Sequence, residues 1–190
     1  MNLLIAEDYA RAADALGCDV PAIKAVAAVE SRGCGFLPDG RLKILFEAHI
    51  FSARTKHKYD DTHPNISSRT WDRLLYKGGA SEHDRLYEAQ QLDHVAAWES
   101  ASWGKFQIMG FNYLACGFKS AREMIDYMHQ SEGCQLDCFV SFVKHSPPML
   151  KALQDHDWQV FACMYNGPDY KQNKYDERIK TAYESEAECG

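Results

Sequence analysis

Glu30 is the residue whose place in the sequence points most directly to chemistry. It follows five apolar residues, the Ala-Val-Ala-Ala-Val of 25–29, and we expect it at the end of a buried helix. Burial against apolar groups disfavours a charged carboxylate and raises its pKa, so such a group can keep its proton near neutral pH. Cleavage of a glycosidic bond needs a protonated carboxyl, because the leaving oxygen must take up a proton. A simple ion pair between Glu30 and Arg32 is the alternative interpretation.

Glu47 is the second candidate carboxylate, since it lies in the apolar run Ile-Leu-Phe-Glu-Ala-His-Ile-Phe of 44–51. In a glycosidase it could hold a water, act as a nucleophile or stabilise positive charge. The separation of the two carboxyls distinguishes the first two roles, at about 6.5–9.5 Å and about 5 Å respectively. The structural alternative is that Glu47 holds His49, Arg41 or a backbone amide. We interpret His49 as a hydrogen-bond partner rather than a general base, and Glu99 is a third candidate carboxylate.

Three stretches carry hydroxyl, amide and phenol groups that suit a sugar ligand. They are 30–33 (Glu-Ser-Arg-Gly), 100–109 (Ser-Ala-Ser-Trp-Gly-Lys-Phe-Gln-Ile-Met) and 165–167 (Tyr-Asn-Gly). In this order they resemble the three motifs of goose-type lysozymes and lytic transglycosylases. With 35–40 (Gly-Phe-Leu-Pro-Asp-Gly) and 44–51, the chain resembles over nearly its whole length the N-acetylmuramidase domain of phage endolysins.

This resemblance implies a peptidoglycan hydrolase that cleaves between N-acetylmuramic acid and N-acetylglucosamine and lyses the bacterial cell wall. Glu30 would be the general acid and Glu47 the candidate second catalytic group. No metal or cofactor is implied. Two alternatives stay open: a lytic transglycosylase, which forms anhydromuramic ends with a single glutamate, and a catalytically inactive glycan-binding module on the same fold. The residues expected to bind substrate are Ser31, Ser102, Gln107, Tyr165 and Asn166.

The expected fold is mainly α (α+β): a single lysozyme-like domain over 1–190, without a separate wall-binding domain. Apolar periodicity and capping residues predict the helices. The turn residues Pro-Asp-Gly at 38–40 predict a small β-hairpin over 35–46 beside the active-site cleft. The helices are expected over 6–16, 22–30, 48–55, 80–102, 120–130, 133–145, 148–155, 158–165 and 171–184.

Composition and charge restrict the remaining possibilities. The net charge of −6 and the lack of a basic cluster argue against a nucleic-acid partner. Seven cysteines, an odd number with irregular spacing, indicate thiols in a reducing cytoplasm rather than a disulfide framework. The N-terminal residues do not resemble a signal peptide. Together with the resemblance to phage endolysins, this implies a monomer that stays in the cytoplasm of the producing bacterial cell until a membrane-pore protein (a holin) releases it to the cell wall in the periplasm.

Overall fold

The computed structural model describes residues 3–31 and 33–188, apart from the side chains of Glu30, Ser31 and Asp169. Within these residues the chain forms ten α-helices and three short strands, so the expected mainly α fold with a small antiparallel sheet is confirmed. In chain order the elements are α1 (Ala6–Leu16), α2 (Val20–Ser31), β1 (Ile44–Phe46), α3 (Ala48–Arg54), α4 (Ser81–Leu92), α5 (His94–Glu99), β2 (Ala101–Trp103), β3 (Ile108–Met109), α6 (Ala121–Met128), α7 (Glu132–His145), α8 (Pro147–Gln154), α9 (Trp158–Asn166) and α10 (Tyr175–Glu188).

The helix α2 is the buried central helix that its apolar sequence predicts. Ala22, Ile23 and Val26 have no exposed surface, and alanines along this helix allow its neighbours to approach closely. The last helix, α10, lies along α2. Lys24 Nζ is 2.9 Å from Glu186 Oε2, and the Arg178 guanidinium donates a hydrogen bond to the Val29 carbonyl (3.2 Å). The first helix packs against both α2 and α7, so the end of α2 is held from several sides.

Beyond the end of α2 the chain forms a three-stranded antiparallel sheet, in the order β1-β2-β3. The predicted hairpin over 35–46 is present as a turn, closed by the Phe36–Leu42 bridge and by the hydrogen bond from the Lys43 amide to the Gly35 carbonyl (2.9 Å). However, β1 takes its partner from far along the chain, since Leu45 pairs with Ser102. The turn at 36–42 therefore leads into β1, and β1 forms its sheet pairing with β2.

The prediction of one helix over 80–102 is wrong, because the chain breaks there twice. Asp93 is extended (φ −157°), and its carboxylate accepts the Ala96 amide (2.9 Å), which caps a new short helix, α5. After Ser100 the chain becomes strand β2. Every residue of this region tolerates a helix, but pairing with β1 buries Ala101 and Trp103 in the core. That tertiary contact outweighs the local helix preference.

A buried carboxylate on α4 fixes the irregular chain on one side of the sheet. Glu82 has no exposed surface. Its Oε1 accepts the amides of Lys77 (2.6 Å) and Gly78 (2.9 Å), and its Oε2 accepts the Phe46 amide (3.1 Å) and the Arg85 guanidinium (2.8 Å). Burial opposes ionisation of Glu82, but the three amides and Arg85 outweigh it and lower its pKa. Glu82 is therefore an anion that three backbone donors depend on.

We expect Glu82→Gln to lower the free energy of unfolding by about 3–5 kcal/mol, because the change leaves Arg85 buried without its anion. Urea unfolding at neutral pH measures this loss.

The folded pKa of Glu82 lies below its unfolded value, so its stabilisation is present above about pH 4.3 and disappears as the pH falls through the folded pKa. The difference between wild type and variant should therefore shrink in strong acid. The matched control is Glu184→Gln on α10, an exposed glutamate whose loss should change stability by less than about 0.5 kcal/mol. Equal stabilities of Glu82→Gln and wild type would contradict the assignment of Glu82 as a buried, ionised partner of Arg85.

Candidate active site

The backbone after α2 places the end of this helix against the sheet. The Gly33 carbonyl accepts Lys105 Nζ (2.9 Å), and the Gly35 amide donates to Glu132 Oε1 (2.6 Å). The Lys43 carbonyl accepts the Gly104 amide (2.8 Å), so the segment after α2, the start of β1 and the turn after β2 lie side by side. Glu30 belongs to the last turn of α2. The side chains of Glu30 and Ser31 lie outside the described residues, and their predicted roles stay predictions.

Two buried polar residues on α7 join these segments. Glu132 and Gln135 are 2% and 1% exposed. Gln135 Oε1 accepts the Lys105 amide (2.6 Å), and its amide nitrogen donates to the Met128 carbonyl (3.2 Å). Glu132 Oε2 lies 3.4 Å from Lys105 Nζ and accepts the Leu4 amide (3.3 Å). Burial opposes ionisation of Glu132, but the Gly35 amide and Lys105 outweigh it and lower its pKa.

Sequence reasoning missed this junction, although a signal was present. Glu132 and Gln135 are three residues apart on α7, next to the apolar residues Leu136 and Phe139. Residues three or four apart share a helix face, so two polar side chains there need buried partners.

Polar groups of the second motif bond to one another on one face of the sheet. Ser102 pairs with Leu45 in the sheet, and its hydroxyl lies 2.8 Å from Gln107 Oε1. The Gln107 amide nitrogen donates to the Gly104 carbonyl (2.8 Å). Gln107 has φ +48°, a left-handed conformation that is uncommon for a non-glycine residue and often occurs at functional sites. The structure thus brings Ser102 and Gln107 together, and their binding of sugar stays a prediction.

Glu47 lies at the edge of the same face. Side chains alternate along a strand, so Glu47, two residues after Leu45, is on the side of Ser102. The Glu47 side chain is 15% exposed. Its Oε2 accepts the Tyr76 hydroxyl at 2.5 Å and lies 3.3 Å from His49 Nδ1. Burial raises the pKa of Glu47, against the lowering effects of the Tyr76 hydrogen bond and of His49.

The other carboxylates and cations considered with Glu47 have separate partners. His49 lies within ion-pair distance of Glu47 (Nδ1–Oε2 3.3 Å), whereas Arg41 pairs with Asp39 (2.6 Å). Glu99 forms an ion pair with Arg54 (2.8 Å) at the end of α5, so this third candidate is tied to a cation. Tyr76 was not predicted, because it lies in the irregular segment before α4, with no pattern to link it to Glu47.

The third motif reaches the second through Tyr165. Its hydroxyl donates to the Phe106 carbonyl (2.7 Å), and its ring contacts Phe139 and Phe161. Asn166 is the last residue of α9. Tyr165 therefore supports the turn that carries Gln107, while direct contact of Tyr165 and Asn166 with substrate stays a prediction.

A mainly α fold with a small antiparallel sheet and a partly buried carboxylate at the sheet edge is the arrangement expected of a lysozyme-like glycoside hydrolase. The family model for N-acetylmuramidase matches residues 19–187, and the chain belongs to this family. The crystal structure of the Burkholderia AP3 phage endolysin is similar, with 39% sequence identity and a TM-score of 0.92 over 99% of this chain and 72% of that one. No curated protein matches the chain. The resemblance stated from the sequence is thus confirmed, and the protein is a peptidoglycan-directed hydrolase.

The close contacts of Gly35 provide a test of the junction. A Cβ atom added to Gly35 would lie 2.1 Å from Gln135 Oε1 and 2.9 Å from the Lys105 nitrogen. We expect Gly35→Ala to cost about 1–3 kcal/mol of unfolding free energy, as overpacking does, and to reduce peptidoglycan hydrolysis by displacing the chain after α2. Thermal unfolding and the initial hydrolysis rate measure the two effects.

The double variant Gly35→Ala/Gln135→Ala is the matched control, because it removes the side chain that the new methyl group meets. Its loss of stability should be smaller than the sum of the two single losses. Strict additivity would show that Gly35 and Gln135 do not share this space.

Proposed function

We propose that the protein cleaves the bond between N-acetylmuramic acid and N-acetylglucosamine with Glu30 as general acid and Glu47 as the second carboxylate. The observation that carries this proposal is the place of Glu47 in a chain of the N-acetylmuramidase family. Glu47 is a mostly buried carboxylate at the edge of the sheet face that carries Ser102, and it is oriented by the Tyr76 phenol and the His49 imidazole. Two residues after the end of α2, where Glu30 lies, the Gly33 carbonyl accepts Lys105 Nζ from the turn after β2 (2.9 Å).

In the proposed reaction Glu30 gives its proton to the glycosidic oxygen as the bond to the muramic acid carbon breaks. A water held by Glu47 attacks that carbon and transfers its proton to the Glu47 carboxylate. Among the described residues, both polar contacts of this carboxylate fall on Oε2, which leaves Oε1 for the water. Ser31, Ser102, Gln107, Tyr165 and Asn166 are proposed to line the groove that binds the glycan strand.

We also propose that the protein lyses the bacterial cell wall as an endolysin. The similar Burkholderia AP3 phage protein is an endolysin, which supports this setting. None of the helices in the described residues has the length and apolar character of a membrane span. In the proposed setting the protein works as a monomer on the periplasmic side and depends on a membrane-pore protein to leave the cytoplasm.

We expect Glu30→Gln to lower the hydrolysis rate of purified peptidoglycan at least 10²-fold, because an amide cannot donate the required proton. Glu47→Gln should also reduce the rate strongly. Product analysis by reducing-end chemistry and mass spectrometry measures both effects, and wild type should leave reducing muramic acid ends. Glu123→Gln on α6, an exposed glutamate, is the matched control and should keep the wild-type rate.

Each other product pattern contradicts a separate part of the proposal. Anhydromuramic ends would identify a transglycosylase, and strands bound without cleavage would identify an inactive glycan-binding module. Full activity of folded Glu30→Gln would remove Glu30 from the mechanism.

We expect Tyr76→Phe to move the acidic limb of the kcat/KM against pH profile to higher pH. Burial raises the pKa of Glu47 and the Tyr76 hydrogen bond lowers it, so loss of the phenol raises that pKa further. Glu47 must be ionised to accept a proton, and the active fraction then appears at a higher pH. The pKa of Tyr76 is itself raised, by burial and then by Glu47, so the phenol stays a donor throughout. An unmoved acidic limb would show that Glu47 is not the titrating base.

A further inference from the structure

The irregular segment 54–78 has a charge opposite to that of the rest of the protein. It contains six lysines and arginines against three aspartates, whereas the whole chain carries a net charge of −6. Asp60 forms an ion pair with Arg69 (3.2 Å), and the Asp72 carboxylate accepts the Leu74 amide (2.8 Å). Arg73 and Lys77 are exposed and have no acidic partner among the described residues. The segment therefore presents free positive charge to solvent.

The same segment exposes large apolar side chains. Trp71 is 60% exposed and Leu74 is 84% exposed. A large apolar side chain left in water often marks a binding surface, particularly where polar groups surround it. Trp71 also has a defined support, since its ring lies 6.3 Å from the ring of Tyr76, at an angle of 56°.

Tyr76 connects this surface to the proposed active site. The Tyr76 hydroxyl donates to Glu47 at 2.5 Å, so one aromatic ring separates the Trp71 indole from the candidate second carboxylate. Arg73 and Lys77 lie within six residues of Trp71 in the sequence. The Trp71 indole is therefore close enough to Glu47 to contact the same bound polymer.

We propose that Trp71, Arg73 and Lys77 form a subsite that binds carboxylate-bearing glycan next to the cleavage point. The indole would stack on the apolar face of a sugar ring, as aromatic side chains do with flat apolar surfaces. The two cations would attract the carboxylates of the muramic acid substituents and stem peptides. This proposal rests on the proposed function and narrows it, because it makes anionic, peptide-bearing strands the preferred substrate over neutral ones.

The first experiment compares Trp71→Ala with wild type on soluble, uncross-linked peptidoglycan strands. KM should rise about tenfold, the scale of one aromatic contact, and the effect on KM should exceed the effect on kcat. Trp71→Phe should recover most of the loss, because it restores a flat ring. Tyr87→Ala is the matched control: Tyr87 is an aromatic residue, 65% exposed on α4, and its loss should leave KM at the wild-type value.

The second experiment isolates charge with a matched pair of substrates, the native strands and the same strands after conversion of their carboxylates to amides. Arg73→Ala/Lys77→Ala should raise KM about threefold to tenfold on native strands and leave it unchanged on amidated strands. The difference should disappear in high salt, because salt screens exposed charges. Lys119→Ala/Lys144→Ala removes the same charge from exposed sites on other parts of the surface and should have no such effect.

Sedimentation with insoluble peptidoglycan measures binding of the same variants without reference to catalysis. Weaker binding of Trp71→Ala supports the subsite even if Glu30→Gln contradicts the proposed acid. Equal KM and equal binding for Trp71→Ala and Tyr87→Ala would overturn the subsite and leave the proposed function standing. Unchanged KM together with loss of binding to vesicles of phosphatidylglycerol and phosphatidylethanolamine would also overturn it, since Trp71 would then contact a membrane.

Discussion

Backbone amides outside helices and strands need acceptors, and in this protein two buried carboxylates supply them. The strands are only two or three residues long, so the sheet alone leaves many donors of the adjoining chain without partners. Glu82 accepts three amides on one side of the sheet, and Glu132 accepts the Gly35 and Leu4 amides on the other. The position of the irregular chain around the active site depends on these two anions.

The same side-chain type has different chemistry in three places because its neighbours differ. Glu82 and Glu132 are as buried as core residues, yet backbone amides and a cation lower their pKa values. Among the described residues, the Glu47 carboxylate meets a phenol and a nearby imidazole but no backbone amide, and burial raises its pKa. The number of N–H donors directed at a carboxylate thus separates a structural anion from a group that can exchange protons. Burial alone does not distinguish them.

Local patterns in the sequence predicted most helices, since periodicity and caps act within one turn. Ser120 illustrates this: its hydroxyl accepts the Glu123 amide (3.2 Å) and begins α6 where the sequence predicts a helix. The long helix predicted over 80–102 failed because strand β2 depends on β1, more than fifty residues earlier. The apolar runs around Glu30 and Glu47 supplied both as candidates, and the resemblance to the family implied the role of Glu30. The spacing of Glu132 and Gln135 signals a need for buried partners, but the identity of those partners, like the role of Tyr76, depends on residues brought near only by the fold.

The pairing of α2 with α10 also has a consequence for synthesis. Chains emerge from the ribosome from the N-terminus at about 5–20 residues per second, and domains fold as their parts become available. The helix that ends in Glu30 emerges early, but the helix that covers it lies at residues 175–188. During elongation the face of α2 that packs against α10 stays uncovered until α10 has emerged. A chain stopped before α10 would carry every candidate catalytic residue and still lack the helix that packs along α2. The packing of the helix that carries Glu30 is therefore complete only after residues 175–188 have emerged.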